Sequence, residues 1–178
     1  MLITAISVRL TSRGPVIFKQ VRVCQEGDTF TMWKFRTMYA DAEQRQEELA
    51  HLNEADGPLF KIHDDPRVTA VGRFLRRTSL DELPQLWNIV NGDMSLVGPR
   101  PHAVAHNELY RSKIHGYMLR HKVKAGITGW AQVNGWRGNT SLEKRIEYDL
   151  YYIENWSVTL DIKIMWMTLI RVLAQNRA

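Results

Sequence analysis

The chain has 178 residues, a hydrophobic fraction of 44% and a formal net charge of +5, which together fit one folded domain with a sizeable core. Its single cysteine, Cys24, excludes an intrachain disulfide, the histidines follow no metal-binding spacing, and no apolar run reaches the ~18–20 residues of a membrane-spanning helix. The positive charge indicates an anionic partner, and it leaves nucleic acid, a phosphate-bearing substrate and acidic lipid all open.

The N-terminal part of the sequence predicts a short apolar segment followed by a β-hairpin. Residues 1–10 are apolar but lack the basic start and the cleavage site of a signal peptide. Their pattern permits a buried strand or the tail of a longer apolar helix, and it favours the strand. Residues 16–23 and 29–37 predict two strands, which the turn residues 25–28 join into a hairpin.

The next segment predicts two helices of different character. Residues 41–53 are polar and rich in Glu and Gln, so they predict an exposed helix, which ends at Gly57-Pro58. Residues 67–77 place their apolar side chains on one helical face, and four arginines lie on or beside that face. The second helix is therefore expected to have one apolar face with positive charge on or beside it.

A further helix is predicted over residues 79–90. Ser79 and Glu82 have the spacing of a capping box, which predicts that the helix begins at Ser79. Pro84 opposes this start, because its ring would clash with the carbonyl group four residues earlier. A start nearer Asp81 removes most of that strain.

The C-terminal part predicts mainly helices. Residues 102–120 and 141–152 have helical patterns, and the glycine-rich segment 124–135 predicts a loop or short strand. The last helix begins near Ser157 and has a broad apolar face, which is typical of a buried helix or of one in a membrane interface, and we favour burial. The expected fold is α+β, with helices around one small hairpin, because a parallel α/β sheet would need strand–helix repeats that the sequence lacks.

Two adjacent acids, Asp81 and Glu82, follow closely on a run of arginines that includes Arg76. Acids at a helix start often only complement the helix dipole and cap free amides, and the spacing alone favours this structural explanation. The combination with arginines also allows chemistry on phosphate. Arginine forks bind phosphate, one carboxylate can hold Mg²⁺, and the other can attack phosphorus once charge is neutralised.

Three other basic residues are candidates for phosphate binding. Arg100 lies in the rigid loop Gly98-Pro-Arg-Pro101, where it is either a solvated turn residue or a second phosphate clamp. Lys34 and Arg36 alternate along one strand face, a pattern that more often marks a solvated surface. We predict that Arg76, Arg100, Lys34 and Arg36 bind the phosphates of the substrate.

Several long motifs identify a family. The chain resembles the bacterial sugar transferases, the monotopic polyprenyl-phosphate glycosyl-1-phosphate transferases, nearly throughout, most clearly in residues 79–88, 92–101 and 124–135 and also in residues 12–16, 34–38 and 151–157. Residues 101–111 and 115–124 most resemble the glucose-1-phosphate transferases that start exopolysaccharide repeat units of the colanic-acid type.

The resemblance implies a mechanism and its residues. Asp81 and Glu82 match the family's Asp-Glu dyad, in which the aspartate is the nucleophile on the β-phosphate of a UDP-sugar and the glutamate assists. UMP leaves, and undecaprenyl phosphate then collects the sugar phosphate from the enzyme. The family's requirement for Mg²⁺ makes Asp81 and Glu82 the expected metal ligands.

The resemblance also implies a place at the membrane. Family members lie on the cytoplasmic face of the bacterial inner membrane, held by an N-terminal re-entrant helix and by interfacial helices. Residues 1–10 are similar to the end of that re-entrant helix, and residues 11–178 to the catalytic domain. Through this resemblance, the last helix is expected in the membrane interface rather than in a core.

Other functions remain open at this point. The same reaction could use galactose 1-phosphate or an N-acetylhexosamine 1-phosphate, because sugar specificity depends on pocket shape. A non-enzymatic basic module that binds nucleic acid belongs to a different class, but no nucleic-acid motif is present, and the acid pair would repel a phosphate backbone unless a metal intervened. We therefore expect no nucleic-acid partner. The intact dyad opposes a catalytically silent scaffold.

Overall fold

The structure is a computed structural model that describes residues 1–54, 60, 62–138 and 140–175. Its helices are α1 (Leu2–Thr11), α2 (Ala70–Thr78), α3 (Gln85–Val90), α4 (Val104–Lys113), α5 (Trp130–Val133), α6 (Leu142–Glu154) and α7 (Val158–Gln175). Its strands are β1 (Ile17–Val23), β2 (Thr29–Phe35), β3 (Ser95–Val97) and β4 (Gly126–Thr128).

The strands form two small sheets. β1 pairs with β2, which confirms the predicted hairpin. β3 pairs with β4 in parallel, with Ser95 opposite Gly126 and Val97 opposite Thr128. Over the described ranges no sheet has more than two strands, so the predicted α+β class is confirmed and a parallel α/β sheet is not found there.

The chain divides into two compact units. The first comprises Met1–Phe18 and Lys34–Pro84, and the second comprises Lys19–Trp33 and the chain from Gln85 onward. Each unit has its own apolar core. The dyad and the end of α2 lie in the first unit, whereas Arg100 lies in the second.

The core of the first unit is built around Val8, Phe35 and Leu75. Val8 belongs to α1, so the strand favoured for the first residues is wrong and that segment is helical. Helix α1 buries only Val8, while Leu2, Ile3, Ile6 and Leu10 are exposed. A helix that buries only one narrow face lies on the surface of its unit. The assignment of residues 1–10 to a re-entrant membrane helix stays a prediction.

Helix α2 lies unusually close to the chain that follows β2. A Cβ added at Gly72 would lie 1.9 Å from the carbonyl oxygen of Thr37, so only glycine allows this approach. The Oγ1 of Thr69 accepts a hydrogen bond from the N–H of Gly72 at 2.9 Å and caps the helix. This packing sets the position of Arg76, one turn later on α2.

The polar segment 41–53 does not form the predicted helix. It contains turns and two short 3₁₀ helices, Gln44–Gln46 and Ala50–Leu52. A segment without an apolar face gains little from a regular helix, and here the buried Arg67 binds its backbone instead, with Nη1 donating to the carbonyl of Ala42 at 3.2 Å. The predicted end at Gly57-Pro58 lies outside the described residues.

The predicted capping box is also wrong. Ser79 ends α2 in the left-handed conformation, at φ 56° and ψ 16°, and its side chain caps nothing. A 3₁₀ turn, Leu80–Glu82, follows, and the α-helix begins only at Gln85. Pro84 explains this start, because proline is compatible with the position before a helix but not with its interior.

Among its described residues, the second unit has two apolar clusters. One contains Val97, Val133, Tyr152 and Ile164, and the other is built on three residues of α4, α6 and the 3₁₀ helix Tyr117–Lys122. The helix predicted over 102–120 is therefore divided into two, and Gly116 stands at the break with φ 75°. The predicted helix over 141–152 is confirmed as α6.

Helix α7 buries one edge of its apolar face and exposes the rest. Ile164 is fully buried, and Leu160 and Met167 pack against the same core cluster. Five other large apolar side chains are half or more exposed: Val158, Ile162, Trp166, Leu169 and Ile170. Burial therefore accounts for only part of the apolar pattern. Within the described ranges, no helix has both the length and the hydrophobicity to cross a membrane.

Candidate active site

The two predicted catalytic acids lie on the 3₁₀ turn Leu80–Glu82, directly after the basic end of α2. Successive residues of a 3₁₀ turn point about 120° apart, so Asp81 and Glu82 face different surroundings. Asp81 is half-buried, whereas Glu82 is 7% exposed. The two carboxylates are therefore suited to different tasks.

Glu82 forms an ion pair with Lys34. The Nζ of Lys34, on β2, donates to the Oε1 of Glu82 at 2.9 Å, and both side chains are largely buried. A buried carboxylate needs such a partner, because removing a charge from water is costly unless it is paired. Lys34 thus joins the predicted dyad through Glu82, and the alternative of a solvated strand face does not hold for this residue.

Arg76 is held beside the dyad by α2 and by Thr37. Its Nε donates to the Oγ1 of Thr37 at 2.9 Å. Desolvation lowers the pKa of the Arg76 guanidinium, and the charges of Asp81 and Asp65 oppose that shift. Arginine remains protonated at neutral pH in any case, so Arg76 supplies a fixed positive charge that interacts with Asp81.

Arg36 has a different environment from Lys34. It is 6% exposed, and its Nη1 and Nη2 donate to the carbonyl groups of Arg13 and Ser12 at 2.7 and 2.8 Å. Burial lowers the pKa of Arg36, and the nearby charge of Arg9 adds to this effect. Arg36 thus fastens the turn after α1 to the strand, and its predicted phosphate contact stays a prediction.

Arg100 lies in the second unit, on the loop that follows β3. Its Nη1 donates to the Oε1 of Gln132 at 3.3 Å, and its carbonyl oxygen accepts from the Nη2 of Arg120 at 2.7 Å. A Cβ at Gly98 would lie 2.5 Å from the carbonyl oxygen of Lys124, so this loop packs tightly against the segment before β4. The predicted rigidity of the loop and its contact with phosphate both stay predictions.

The loop of Arg100 rests on a buried ion pair that the sequence analysis missed. The Nη2 and Nε of Arg120 both donate to the Oδ2 of Asp149, at 2.7 and 3.1 Å, and the two side chains are 1% and 2% exposed. Desolvation raises the pKa of the Asp149 carboxyl, and the charge of Arg120 opposes the rise. The helical patterns around these residues carry no signal that would pair charges so far apart in sequence.

A small cleft, partly open to solvent, adjoins this loop and is lined in part by Cys24, Arg100, Arg120 and His121. His121 is 6% exposed, and burial lowers its pKa to about 4. The imidazole is therefore neutral at pH 7.

Cys24 is a buried thiol whose Sγ donates to the carbonyl of Asp93 at 3.2 Å, which fits a structural role.

The dyad fits a magnesium ion only if the substrate also contributes ligands. Among residues 1–54, 60, 62–138 and 140–175, no three His, Cys, Asp or Glu side chains form a metal-binding group. Mg²⁺ commonly binds one or two carboxylates together with substrate phosphates and water. Asp81 and Glu82 offer that number of carboxylates, but they point about 120° apart and Glu82 is paired with Lys34, so their joint binding of one Mg²⁺ stays a prediction.

The ion pair of the site gives a first prediction. Lys34→Ala should lower the free energy of unfolding by about 1–3 kcal/mol, because it leaves the Glu82 carboxylate buried without its cation. Lys34→Arg should retain most of the stability. Urea denaturation followed by circular dichroism measures both effects, with Lys19→Ala as the control, since Lys19 is exposed and lies over the ring of Trp33. Equal stability of Lys34→Ala and Lys19→Ala would contradict the assigned pair.

Comparison with known proteins gives independent information on the family of the chain. A family model described as bacterial sugar transferase matches residues 1–175. The UDP-glucose:undecaprenyl-phosphate glucose-1-phosphate transferase of Escherichia coli is 56% identical over 94% of the chain, and that of Klebsiella pneumoniae is 54% identical over 96%. A galactosyl transferase of Streptococcus agalactiae is 46% identical over 88%. The chain spans 34%, 35% and 34% of the lengths of these three proteins.

Proposed function

This chain belongs to the bacterial sugar transferase family, and we propose that it transfers glucose 1-phosphate from UDP-glucose to undecaprenyl phosphate and releases UMP. The observation that carries the proposal is an adjacent acid pair in which Asp81 is half-buried beside Arg76 and Glu82 is buried against Lys34. The names of the E. coli and K. pneumoniae relatives support glucose as the sugar. In that role the enzyme carries out the first membrane step of exopolysaccharide repeat-unit synthesis.

The reaction proceeds in two displacements at one phosphorus atom. A carboxylate oxygen of Asp81 attacks the β-phosphorus of UDP-glucose, and the bond from that phosphorus to the bridging oxygen breaks, so UMP leaves with the electron pair. A phosphate oxygen of undecaprenyl phosphate then attacks the same phosphorus and releases the Asp81 carboxylate. Each displacement forms one P–O bond and breaks one, so the Asp81 carboxylate is regenerated.

The neighbouring charges make an attack on phosphate possible. A carboxylate and a phosphate repel each other, and the positive charge of Arg76 reduces this repulsion where Asp81 meets the phosphoryl group. Lys34 holds the carboxylate of Glu82 in place beside Asp81. Mg²⁺ bound by Asp81 and Glu82 would neutralise further charge on the phosphate oxygens.

Release of UMP from a panel of UDP-sugars tests the proposal directly. The protein, in detergent with undecaprenyl phosphate and Mg²⁺, should release UMP fastest from UDP-glucose, and chelation of the metal should stop the release. If UDP-galactose were the preferred donor, the proposed reaction would stand but the transferred sugar would be galactose, in agreement with the name of the S. agalactiae relative. No UMP release from any UDP-sugar would refute the proposal.

The two predicted phosphate arginines give a second prediction. Arg76→Lys and Arg100→Lys should each lower kcat/KM by about tenfold to hundredfold, because a point charge does not replace a bidentate fork. Steady-state assays of UMP release measure the effect. Arg73→Lys is the matched control, since Arg73 lies on the same helix as Arg76 and is exposed. Wild-type kinetics in both test variants would show that the assignment is wrong.

The proposed acceptor is a lipid, so the enzyme should work at the cytoplasmic face of the inner membrane. The exposed apolar side chains of α7 and the net charge of +5 support binding to an anionic membrane surface. We predict that liposomes with anionic lipid bind the protein at low salt and bind it more weakly at high salt. Trp166→Asp should weaken binding at either salt concentration, because Trp166 is 63% exposed. Flotation tests this, and the absence of binding at low salt would contradict it.

A further inference from the structure

Ser79 joins the basic end of α2 to the turn that carries the dyad. Its backbone lies in the left-handed region, at φ 56° and ψ 16°. Within the described ranges, Glu26 is the other non-glycine residue with positive φ, and it lies in the exposed turn between β1 and β2. L-residues other than Asn and Asp seldom adopt this conformation, because Cβ approaches the backbone too closely.

The backbone of Ser79 is fully hydrogen-bonded, whereas its hydroxyl group is not. Its N–H donates to the carbonyl of Arg76 at 3.3 Å, and its carbonyl accepts from the N–H of Glu82 at 3.2 Å. The Oγ is buried and has no hydrogen-bond partner. An unpaired buried hydroxyl destabilises a folded protein, because it has lost its bonds to water without replacement.

Two unfavourable features therefore coincide at a residue two positions before Asp81. Glycine at this position would relieve the backbone and also remove the unpaired hydroxyl. Features of this kind concentrate where a protein acts rather than where it only folds. The presence of serine is explained if the hydroxyl acquires its partner when a ligand is bound.

We propose that the Ser79 hydroxyl donates a hydrogen bond to the phosphoryl group that Asp81 receives. This inference rests on the proposed function. Rotation about the Cα–Cβ bond brings a serine hydroxyl into other staggered positions without moving the backbone. Asp81 is only two residues away, and we place the phosphoryl group on its carboxylate within reach of the rotated hydroxyl. Ser79 then adds a neutral donor to the charge that Arg76 supplies.

The experiment separates the hydroxyl from the backbone conformation. Ser79→Gly removes the hydroxyl and relieves the backbone, whereas Ser79→Ala removes the hydroxyl and keeps the side-chain Cβ. Thermal unfolding gives the melting temperature, and release of UMP from UDP-glucose gives kcat and KM. Glu26→Gly is the control, because it relieves the same backbone conformation in an exposed turn outside the site.

We expect kcat to fall by about a hundredfold in both Ser79 variants with little change in KM, since the donor acts mainly in the transition state. Ser79→Gly should nevertheless melt at a higher temperature than the wild type, which excludes misfolding as the cause. Glu26→Gly should also melt higher and should keep its full kcat.

Other outcomes overturn the inference in distinguishable ways. Wild-type kcat in Ser79→Gly, with an active wild-type enzyme, refutes the role of the hydroxyl and leaves the proposed function intact. A loss confined to Ser79→Ala also refutes it, because Ser79→Gly lacks the hydroxyl too and would then have full activity. A wild-type protein that releases no UMP from any UDP-sugar refutes both the proposed function and the inference.

Discussion

Asp81→Asn should abolish turnover, with a loss of at least about 10⁴-fold in kcat, because the amide lacks both the charge and the nucleophilic oxygen of the carboxylate. The fold should survive, since asparagine has nearly the same shape and Asp81 is only half-buried. The wild-type enzyme incubated with UDP-glucose labelled on the β-phosphate, without acceptor, should carry label on Asp81. The Asp81→Asn variant should carry none.

Peptide mapping after denaturation locates the label, and Asp41→Asn is the control for a neutral change at an exposed acid of the same unit. Glu82→Gln should slow turnover strongly while retaining a trace of adduct, because the amide oxygen can still accept the hydrogen bond of Lys34. Label on Glu82, or an adduct in Asp81→Asn, would reverse the roles of the two acids. No adduct in any variant would favour direct transfer between the two substrates.

Asp149→Ala should produce the largest loss of stability, about 3–5 kcal/mol, because it leaves the guanidinium of Arg120 buried without its counterion. Arg120 is 1% exposed, so water cannot replace the lost carboxylate. Arg120 also donates to the carbonyl oxygen of Arg100. UMP release should therefore fall as well if Arg100 binds phosphate, since its loop loses a fixed support.

Chemical denaturation measures the change in the free energy of unfolding. Glu147→Ala is the matched control on the same helix, because its ion pair with Lys144 is 62% and 51% exposed and should contribute very little. The double variant Arg120→Met with Asp149→Leu should recover much of the stability, since it removes both charges at once. A loss in Asp149→Ala no larger than in Glu147→Ala would contradict the role given to this pair.

Sequence reasoning was most accurate where a local pattern decides the structure. The hairpin over 16–37 and the helix over 141–152 follow from alternation and helical spacing, and both are confirmed. The prediction was wrong at Ser79, which can either begin a helix as its cap or end the preceding helix. Ser79 and Glu82 have capping-box spacing, but Pro84 prevents an α-helix through that turn, and the chain adopts a left-handed residue and a 3₁₀ turn instead.

The helical segment 1–10 and the turns of 41–53 show the other source of error. A short apolar run is compatible with a strand or a helix, and its contacts decide between them. Residues 41–53 have a helical composition, yet a polar helix without a partner face has little to stabilise it. The buried Arg67 binds the backbone of this segment, and no local sequence pattern predicts that contact.

The sequence by itself determined the family and the α+β class, because long motifs and short-range patterns are properties of neighbouring residues. Only the tertiary structure decided that Glu82 is buried against Lys34, 48 positions away, and that Arg120 pairs with Asp149, 29 positions away. Such ion pairs form only where segments distant in sequence pack together and bury both side chains away from water. The cost of burying a charge then requires a partner, wherever in the chain that partner lies.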